Sequence, residues 1–200
     1  MTLNKKSSAL IIALVLVVVA GTLTYLSQRS EPNSQINNVV SLSANSITFN
    51  EVDKLADFAE LVVIGYATDE FVDRDHVVTA FEDGTMQSFH TNTNIKIEQV
   101  LKKPDDFPEN QKELTIIEPV SLLDGTKYTA DNYVELQKND KSVIFLMKNT
   151  FGDYGLINDN LGKFSLEETN QLNSLQSFTS QELSEYEVFR NSVLEKYNLD

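Results

Sequence analysis

The sequence predicts a mainly β (α+β) domain, built as a small antiparallel barrel of five to six strands with helices at both ends. Runs of β-branched and apolar residues recur at short spacing between residues 61 and 164. Helices do not alternate with these runs, as a βαβ fold would require. Two amphipathic helical patterns follow the last run. The strands are therefore joined by turns and loops.

The first thirty residues predict a membrane anchor. Residues 9–26 carry no charge, and as a helix they would span about 27 Å, close to the hydrocarbon core of a bilayer. Lys5 and Lys6 precede them, which places residues 1–8 in the cytoplasm and the bulk of a single-pass protein outside the cell membrane. The alternative is a cleavable signal peptide with its site at Val18–Ala20, which would release a secreted protein.

A spacer and a short helix precede the barrel. Residues 27–45 are rich in Ser, Asn and Gln, which is typical of a flexible spacer. Within them, Val39–Leu42 is a candidate first strand. We assign 46–164 to the barrel domain and expect a helix over Glu51–Ala59 at its start, from the helical spacing of its apolar residues.

The barrel strands are predicted from alternation and from continuous apolar runs. Gly65 interrupts the first of them and indicates a bulge. Residues 69–84 are predicted as a polar loop ending in a turn. The predicted strands are Leu61–Thr68, 86–101, 113–118 and Ser142–Lys148, followed by a hairpin of Tyr154–Ile157 against Leu161–Phe164.

Residues 165–200 predict two helices that pack on the barrel. Ser165 with Glu168, and Thr179 with Glu182, have the spacing of capping boxes. The second helix carries an apolar stripe that we expect to dock on its own domain, with pairing of two chains as the alternative. The stripe consists of Leu183, Tyr186, Phe189, Val193, Leu194 and Tyr197.

Several segments resemble a known group of proteins. "LADFAELVVIGYATDE", "NTNIKIEQVLKK", "LTIIEP", "VELQKNDKSVIFLMK" and "YGLINDNLGKF" occur in this order. The order resembles small, largely uncharacterised, membrane-anchored extracytoplasmic proteins of Gram-positive bacteria. More distantly, it is similar to the OB-fold barrel of the netrin and tissue-inhibitor-of-metalloproteinase modules. The resemblance covers roughly residues 55–164 and implies an OB-like barrel on an extracytoplasmic stalk.

The chain departs from this pattern at points that matter for function. Lys103–Pro104 replaces Lys-Gly, and Asn139–Asp140 replaces a Gly before the last central strand. The inhibitor modules chelate their target's zinc through an amino-terminal cysteine. This chain contains no cysteine, so that mechanism does not carry over, and disulfides, thiolate zinc sites and cysteine nucleophiles are excluded as well.

The motifs of the chain predict no catalytic, cofactor-binding or metal-binding residue. Asp73–His76 with Glu82 and Asp83 offers carboxylates and an imidazole, but it lacks the spacing of a calcium loop, and a solvated acidic loop explains it better. His76 and His90 are the only histidines, and no G-x-S-x-G motif is present. Residues 158–162 are explained by a turn.

Two long loops, 102–112 and 119–134, are the best candidates for a binding surface. Phe107, Tyr128 and Tyr133 would supply contact area if they are exposed, and the alternative is that they cover the ends of the barrel. The 30 acidic against 16 basic residues, a net charge of −14, argue against nucleic acid as a partner.

The predicted function is a membrane-anchored, extracytoplasmic, non-enzymatic binding domain of the bacterial cell envelope, with a protein or envelope component as partner. The alternative is a cleaved, secreted hydrolase, a cation-dependent enzyme or an inhibitor-like module.

Overall fold

A ring of five strands organises the computed structural model, which describes residues 36–167, 175 and 178–199. In these residues the strands are β1 (Asn38–Leu42), β2 (Leu61–Ala67), β3 (Asp75–Ala80), β4 (Met86–Lys102), β5 (Glu113–Glu118), β6 (Val120–Leu123), β7 (Thr126–Ala130), β8 (Ser142–Lys148), β9 (Tyr154–Leu156) and β10 (Lys163–Ser165). The helices are α1 (Val52–Phe58) and α2 (Ser180–Tyr197), with single 3-10 turns at Phe71–Asp73 and Asp159–Gly162.

The barrel closes through β8. The strands follow one another in the order β8, β2, β4, β5, β9, and β9 pairs with β8 again. The pairing of β5 with β9 is parallel, and the other pairings of the ring are antiparallel. The mainly β class and the barrel are therefore confirmed, and the strand order fits an OB-like barrel.

The two central strands are buried on both faces, as their continuous apolar runs predict. One face of β2 and β8 lines the barrel, where Val63 and Ile144 lie. The other face carries Val62 and Phe145 and packs against the helices. Gly65 sits at a register shift between β2 and β4, and a Cβ there would lie 2.6 Å from the Lys96 carbonyl oxygen. The predicted irregularity at this glycine is confirmed.

The helix α2 docks on its own domain. Thr179 and Glu182 form the predicted capping box. The buried residues of the stripe, Tyr186, Phe189 and Val193, belong to the cluster that covers the outer face of β2 and β8. The Phe189 ring stacks on Phe164 with centroids 5.7 Å apart. The interpretation of this stripe as a docking face in cis is confirmed.

The predicted loop 119–134 is wrong, because it forms a hairpin of β6 and β7. Asp124 and Gly125 at its turn have positive φ values of 49° and 75°, which suits the tight turn between twisted strands. β1 pairs in parallel with β7, so the predicted first strand is confirmed.

The prediction of a loop over residues 69–84 is wrong where the chain forms the strand β3. β3 pairs with the first half of β4, and Asp75 lies opposite Asn92. Because β4 extends for 17 residues, its first half needs a partner beyond the end of β2. The turn at the end of this segment is present, since the Gly84 N–H donates to the Phe81 carbonyl at 2.9 Å.

The predicted hairpin of Tyr154–Ile157 against Leu161–Phe164 is also wrong. β9 and β10 both pair with β8 and not with each other. The 3-10 turn between them is tight, because a Cβ on Gly162 would lie 1.7 Å from the Ile157 carbonyl oxygen. Only glycine fits there.

Two predicted helices lie outside the described residues. The predicted transmembrane segment 9–26 is one of them. The other is the helix expected after Ser165, since residues 168–174, 176 and 177 are not described. Within the described part, no helix combines the length and the apolar character needed to cross a membrane.

Candidate binding surface

The three aromatic residues predicted to form a binding surface are placed differently from one another. Phe107 is buried, and its ring lies 6.3 Å from the Tyr154 ring in the barrel core. Tyr133 is buried as well. Neither side chain is exposed enough to supply contact area, because the loops that carry them fold over apolar surface. Tyr128 on β7 is half-buried beside Phe89, with ring centroids 6.3 Å apart.

A carboxylate with no exposed surface, Glu118 at the end of β5, organises the polar interior. Its Oε2 accepts from Arg74 Nη1 at 2.9 Å and from the Thr93 hydroxyl. Its Oε1 accepts from the Tyr133 hydroxyl at 2.6 Å and from the Leu136 N–H at 2.7 Å. Each oxygen therefore has two donors, which offset the large cost of removing a carboxylate from water.

Arg74 uses its remaining donors on backbone carbonyls. Nε and Nη2 donate to the Asp69 carbonyl at 3.2 and 3.0 Å, and Nη2 donates to the Leu136 carbonyl at 2.6 Å. The planar guanidinium can satisfy a carboxylate and two carbonyls at once. It ties the segment before β3 to the segment before β8.

More charged groups lie beside this pair. Lys127 pairs with Glu135. Burial raises the pKa of Glu135, but the charge and hydrogen bond of Lys127, together with a backbone hydrogen bond and the Lys163 charge, hold the pKa below its usual value. Lys163 Nζ lies 5.1 Å from the centre of the Tyr133 ring. Burial lowers the pKa of Lys163 to about 8, against the opposing pull of Glu118 and Glu135.

His76 points into the fold as a neutral side chain. The Thr91 hydroxyl donates its proton to the Val120 carbonyl at 2.6 Å, so His76 Nδ1, 2.9 Å from that hydroxyl, must be the donor to it. Nε2 is buried and makes no hydrogen bond within the described residues. Burial, followed by the Arg74 charge, lowers the pKa of His76.

The residues Asp73–His76 therefore do not converge on one point. Arg74 and His76 turn inward, while the Asp75 carboxylate accepts from Asn92 Nδ2 at 2.7 Å on the outer surface. In the part of the chain that the structure describes, no group of three or more His, Asp and Glu side chains is placed to hold a metal ion.

The polar residues of the 3-10 turn after β9 have a structural role. Asn158 is buried, with its Oδ1 accepting from the Phe49 N–H at 2.7 Å and its Nδ2 donating to the Phe49 and Leu161 carbonyls at 3.1 Å. Asp159 beside it borders a cavity of about 190 Å³, and burial raises its pKa. The turn anchors the segment before α1.

The outer face of β4 and β5 carries polar side chains. Residues that point outward on these strands pair across the ladder, as Asn94 does with Thr115. The Thr115 hydroxyl donates to Asn94 Oδ1 at 2.8 Å. On the other side of Asn94, the backbone N–H of Thr68 donates to the Asn94 carbonyl at 3.0 Å. A row of hydroxyl and amide groups thus crosses three neighbouring segments.

A cavity of about 490 Å³ opens on this row. Its lining combines hydroxyls and amides with one carboxylate and two apolar side chains, and contains no histidine or lysine. The residues are Thr68, Asn94, Ile95, Gln111, Glu113, Leu114 and Thr115. We define these seven residues as the β4–β5 cavity.

The turn between β8 and β9 lies at the same end of β5. Tyr154 pairs in parallel with Ile116, so the preceding turn runs beside the start of β5. Phe151 in this turn is 89% exposed. Lys148 Nζ donates to Asp106 at 3.2 Å and ties the turn to the loop after β4.

Sequence reasoning missed the β4–β5 cavity, because its residues are ordinary for the solvent side of an alternating strand. Asn94 and Thr115 were expected on half-exposed strands, but the cross-strand register that joins them was not predicted. Phe151 had a usable signal. An aromatic residue between Asn149 and Gly152, which form a turn, has no core to enter.

No family model matches the chain, and no curated protein matches it significantly in sequence. The candidate site is therefore argued from its own geometry.

We expect Arg74→Met to destabilise the fold by about 3–5 kcal/mol, because it leaves Glu118 buried without its cation. The matched control is Lys103→Met, whose partner Glu109 is 85% exposed at 2.7 Å; this change should cost less than about 1 kcal/mol. Urea unfolding at pH 7, followed by circular dichroism, measures both. Equal losses of unfolding free energy in the two variants would show that the buried pair stabilises the fold no more than an exposed pair does.

We expect His76 to make stability fall in mild acid. The pKa of His76 in the folded state lies below its ordinary value of 6.5. The contribution of His76 to the free energy of unfolding is therefore complete above pH 6.5 and is lost as the pH falls from there through the lowered pKa. The free energy of unfolding of His76→Gln should therefore vary less between pH 7 and 5 than that of the parent chain. Thr79→Val, which changes a residue on the same strand that does not titrate, should keep the parental slope. The same slope in His76→Gln would refute the assignment.

Proposed function

We propose that this chain is a membrane-anchored, extracytoplasmic binding domain of the bacterial cell envelope that acts without catalysis. The uncharged run 9–26, preceded by Lys5 and Lys6, supports the anchor and its orientation. All 30 acidic residues lie at or beyond Glu31, on the part assigned to the outside.

The observation that carries the proposal is the β4–β5 cavity. It lies on the outer face of the second and third strands of the barrel, the face with which OB-type barrels bind oligonucleotides and oligosaccharides. Its volume of about 490 Å³ is in the range of ligand sites. Its hydroxyl and amide groups donate and accept hydrogen bonds, and Glu113 is the one carboxylate among its lining residues, whereas glycoside hydrolysis uses a pair.

The chemistry of the cavity favours an uncharged, hydroxyl-bearing polymer, which in a cell envelope is a glycan. Asn94, Gln111, Thr68 and Thr115 each combine donors with acceptors, as a sugar hydroxyl does. The net charge of −14 repels polyanions such as nucleic acid. Phe151, exposed on the adjoining turn, adds an apolar face against which a sugar ring can pack.

We expect the double variant Asn94→Leu with Thr115→Val to bind isolated cell-wall glycan about tenfold more weakly than the parent, because both hydrogen-bonding groups are lost from the cavity. The measurement is co-sedimentation of the full chain, in detergent micelles, with purified wall glycan. The bound glycan should be recovered chemically intact.

The control is Thr79→Val with Ser88→Ala. These residues form the same kind of exposed hydroxyl pair, with Oγ1 and Oγ 2.7 Å apart, on β3 and β4 outside the cavity. This control should bind like the parent. Equal binding by the cavity variant and the control, or cleavage of the glycan, would overturn the proposal.

We further expect the full-length chain, with residues 1–26 intact, in the membrane fraction of cells. A run of 18 uncharged residues that follows Lys5 and Lys6 is long enough to anchor an uncleaved chain in the bilayer. The intact mass of the protein in each fraction decides this. A chain that begins at Gly21 and is found in the medium would replace the anchor with a signal peptide.

A further inference from the structure

The strand β1 leaves one edge of its sheet open. The sheet has the order β1–β7–β6, and β1 pairs with β7 alone among the described strands. The Asn38 N–H faces the Gly125 carbonyl at 3.4 Å, and the Leu42 carbonyl accepts from the Asp131 N–H at 3.0 Å. Backbone groups alternate along a strand, so those of the even-numbered residues point to β7 and those of Val39 and Ser41 point to the open edge.

This edge lacks the usual protection against pairing. Natural edge strands carry lysine, proline, bulges or inward charges. From Pro32 to Asn50 the chain has no charged residue, although charged residues make up 23% of the whole. β1 holds no proline, and its register with β7 shows no shift. Val39 is 59% exposed and Leu42 40%.

We propose that β1 pairs with β1 of a second copy of this chain, antiparallel about a two-fold axis at Val40. Val39 then faces Ser41 of the other copy in two hydrogen-bonded pairs, each of which exchanges both of its N–H···O bonds. The backbone groups that point to the open edge are those that such pairs require. On pairing, the Val39 N–H would exchange its present acceptor, Asn38 Oδ1 at 3.0 Å, for the Ser41 carbonyl of the other copy. The two copies share one continuous sheet.

Charge favours a second copy over a different partner. Two chains of net charge −14 repel one another wherever their acidic surfaces meet. The uncharged edge is a place where they can approach closely. A basic partner would be recognised by carboxylates, and β1 presents none. The two-fold register also places Val40 opposite Val40, a favourable pair of β-branched residues.

The anchor adds proximity, and this step rests on the proposed function. The predicted span ends at residue 26 and β1 begins at residue 38. The residues between them reach roughly 40 Å at most when fully extended. In every copy anchored in one membrane, the open edge of β1 therefore lies within about 40 Å of the end of the predicted span. This confinement raises the effective concentration of one β1 edge near another. A five-residue strand pairs weakly alone, so the membrane strengthens the contact.

The absence of cysteine makes a direct test possible. Across the two-fold axis, residue 40 forms a non-hydrogen-bonded pair with Cα atoms about 4.5 Å apart, within the range of a disulfide. In membranes that hold the full chain, mild oxidation of Val40→Cys should yield a covalent dimer. The control is Ile47→Cys, which is 65% exposed but lies outside β1; its yield should be at least several-fold lower.

A second change separates pairing from chance collision. Adding Val39→Pro removes an N–H on the open edge without taking a donor from the ladder with β7, and it should abolish the dimer. Val39→Ala should retain most of it. A yield equal to that of Ile47→Cys, insensitivity to Val39→Pro, or a cross-linked product with a different protein would overturn the proposal.

The test remains decisive if the anchor fails. Should the chain be a soluble product beginning at Gly21, the same cysteine variants are oxidised in solution at increasing concentration. A dimer specific to residue 40 would then support the pairing without the anchor. If the domain sediments as a monomer and no such cross-linked dimer forms at any of these concentrations, the pairing itself is overturned.

Discussion

The buried carboxylate of Glu118 is the constraint on which the polar interior of this domain depends. It has no exposed surface, so its two oxygens need donors from the protein. The donors come from the segment before β3, from β4, and from the connection between β7 and β8. These segments are far apart in sequence, and two of them, the segment before β3 and the connection between β7 and β8, lie outside the named strands. The Glu118 carboxylate thus holds in place the two connecting segments, before β3 and between β7 and β8, that the strand pairing of the barrel does not fix.

The neighbouring charges show how the two buried carboxylates are balanced. Arg74 balances Glu118, Lys127 balances Glu135, and Lys163 lies over the Tyr133 ring. Burial and the nearby Glu118 raise the pKa of Tyr133 well above its usual value, so its hydroxyl remains a donor to that carboxylate. The hydrogen bonds of Glu118 with Arg74 and Tyr133 therefore keep a single arrangement at neutral pH, which suits a rigid support.

The sequence predicts the elements that are buried on both faces or that carry a strictly periodic apolar pattern. It fails where the structure depends on contacts between residues that are distant in sequence. β2, β8 and α2 follow from their apolar patterns. The β6–β7 hairpin was missed although Asp124–Gly125 is a strong turn pair, because both flanking strands are short and β7 is largely polar. Glu118 shares the inward face of β5 with Ile116, which signals a buried charge. The sequence does not identify Arg74 as its partner.

The same reasoning explains why the candidate surface was misplaced. Phe107 and Tyr133 lie in polar segments, and composition alone suggests exposure. Their loops fold back because each ring completes a core: Phe107 in the barrel, and Tyr133 beside Phe71 and Val120. The polar residues of regular strands, which appear uninformative in sequence, form the open cavity instead. Their proximity depends on register, which only the folded barrel specifies.

The open cavity and the open edge belong to different sheets, and this separation gives the two proposals a common consequence. The β4–β5 cavity lies on the barrel, whereas β1 lies on the three-stranded sheet. Pairing through β1 uses no residue of the cavity, so each copy in a pair keeps its own. A single cavity that holds a sugar through a few hydrogen bonds binds weakly, since each bond contributes only about 1 kcal/mol net. A glycan is a repeating polymer, and two cavities that engage one strand convert the second binding event into an intramolecular one. Weak sites on paired, tethered copies therefore suffice for firm attachment, and no single site has to be strong.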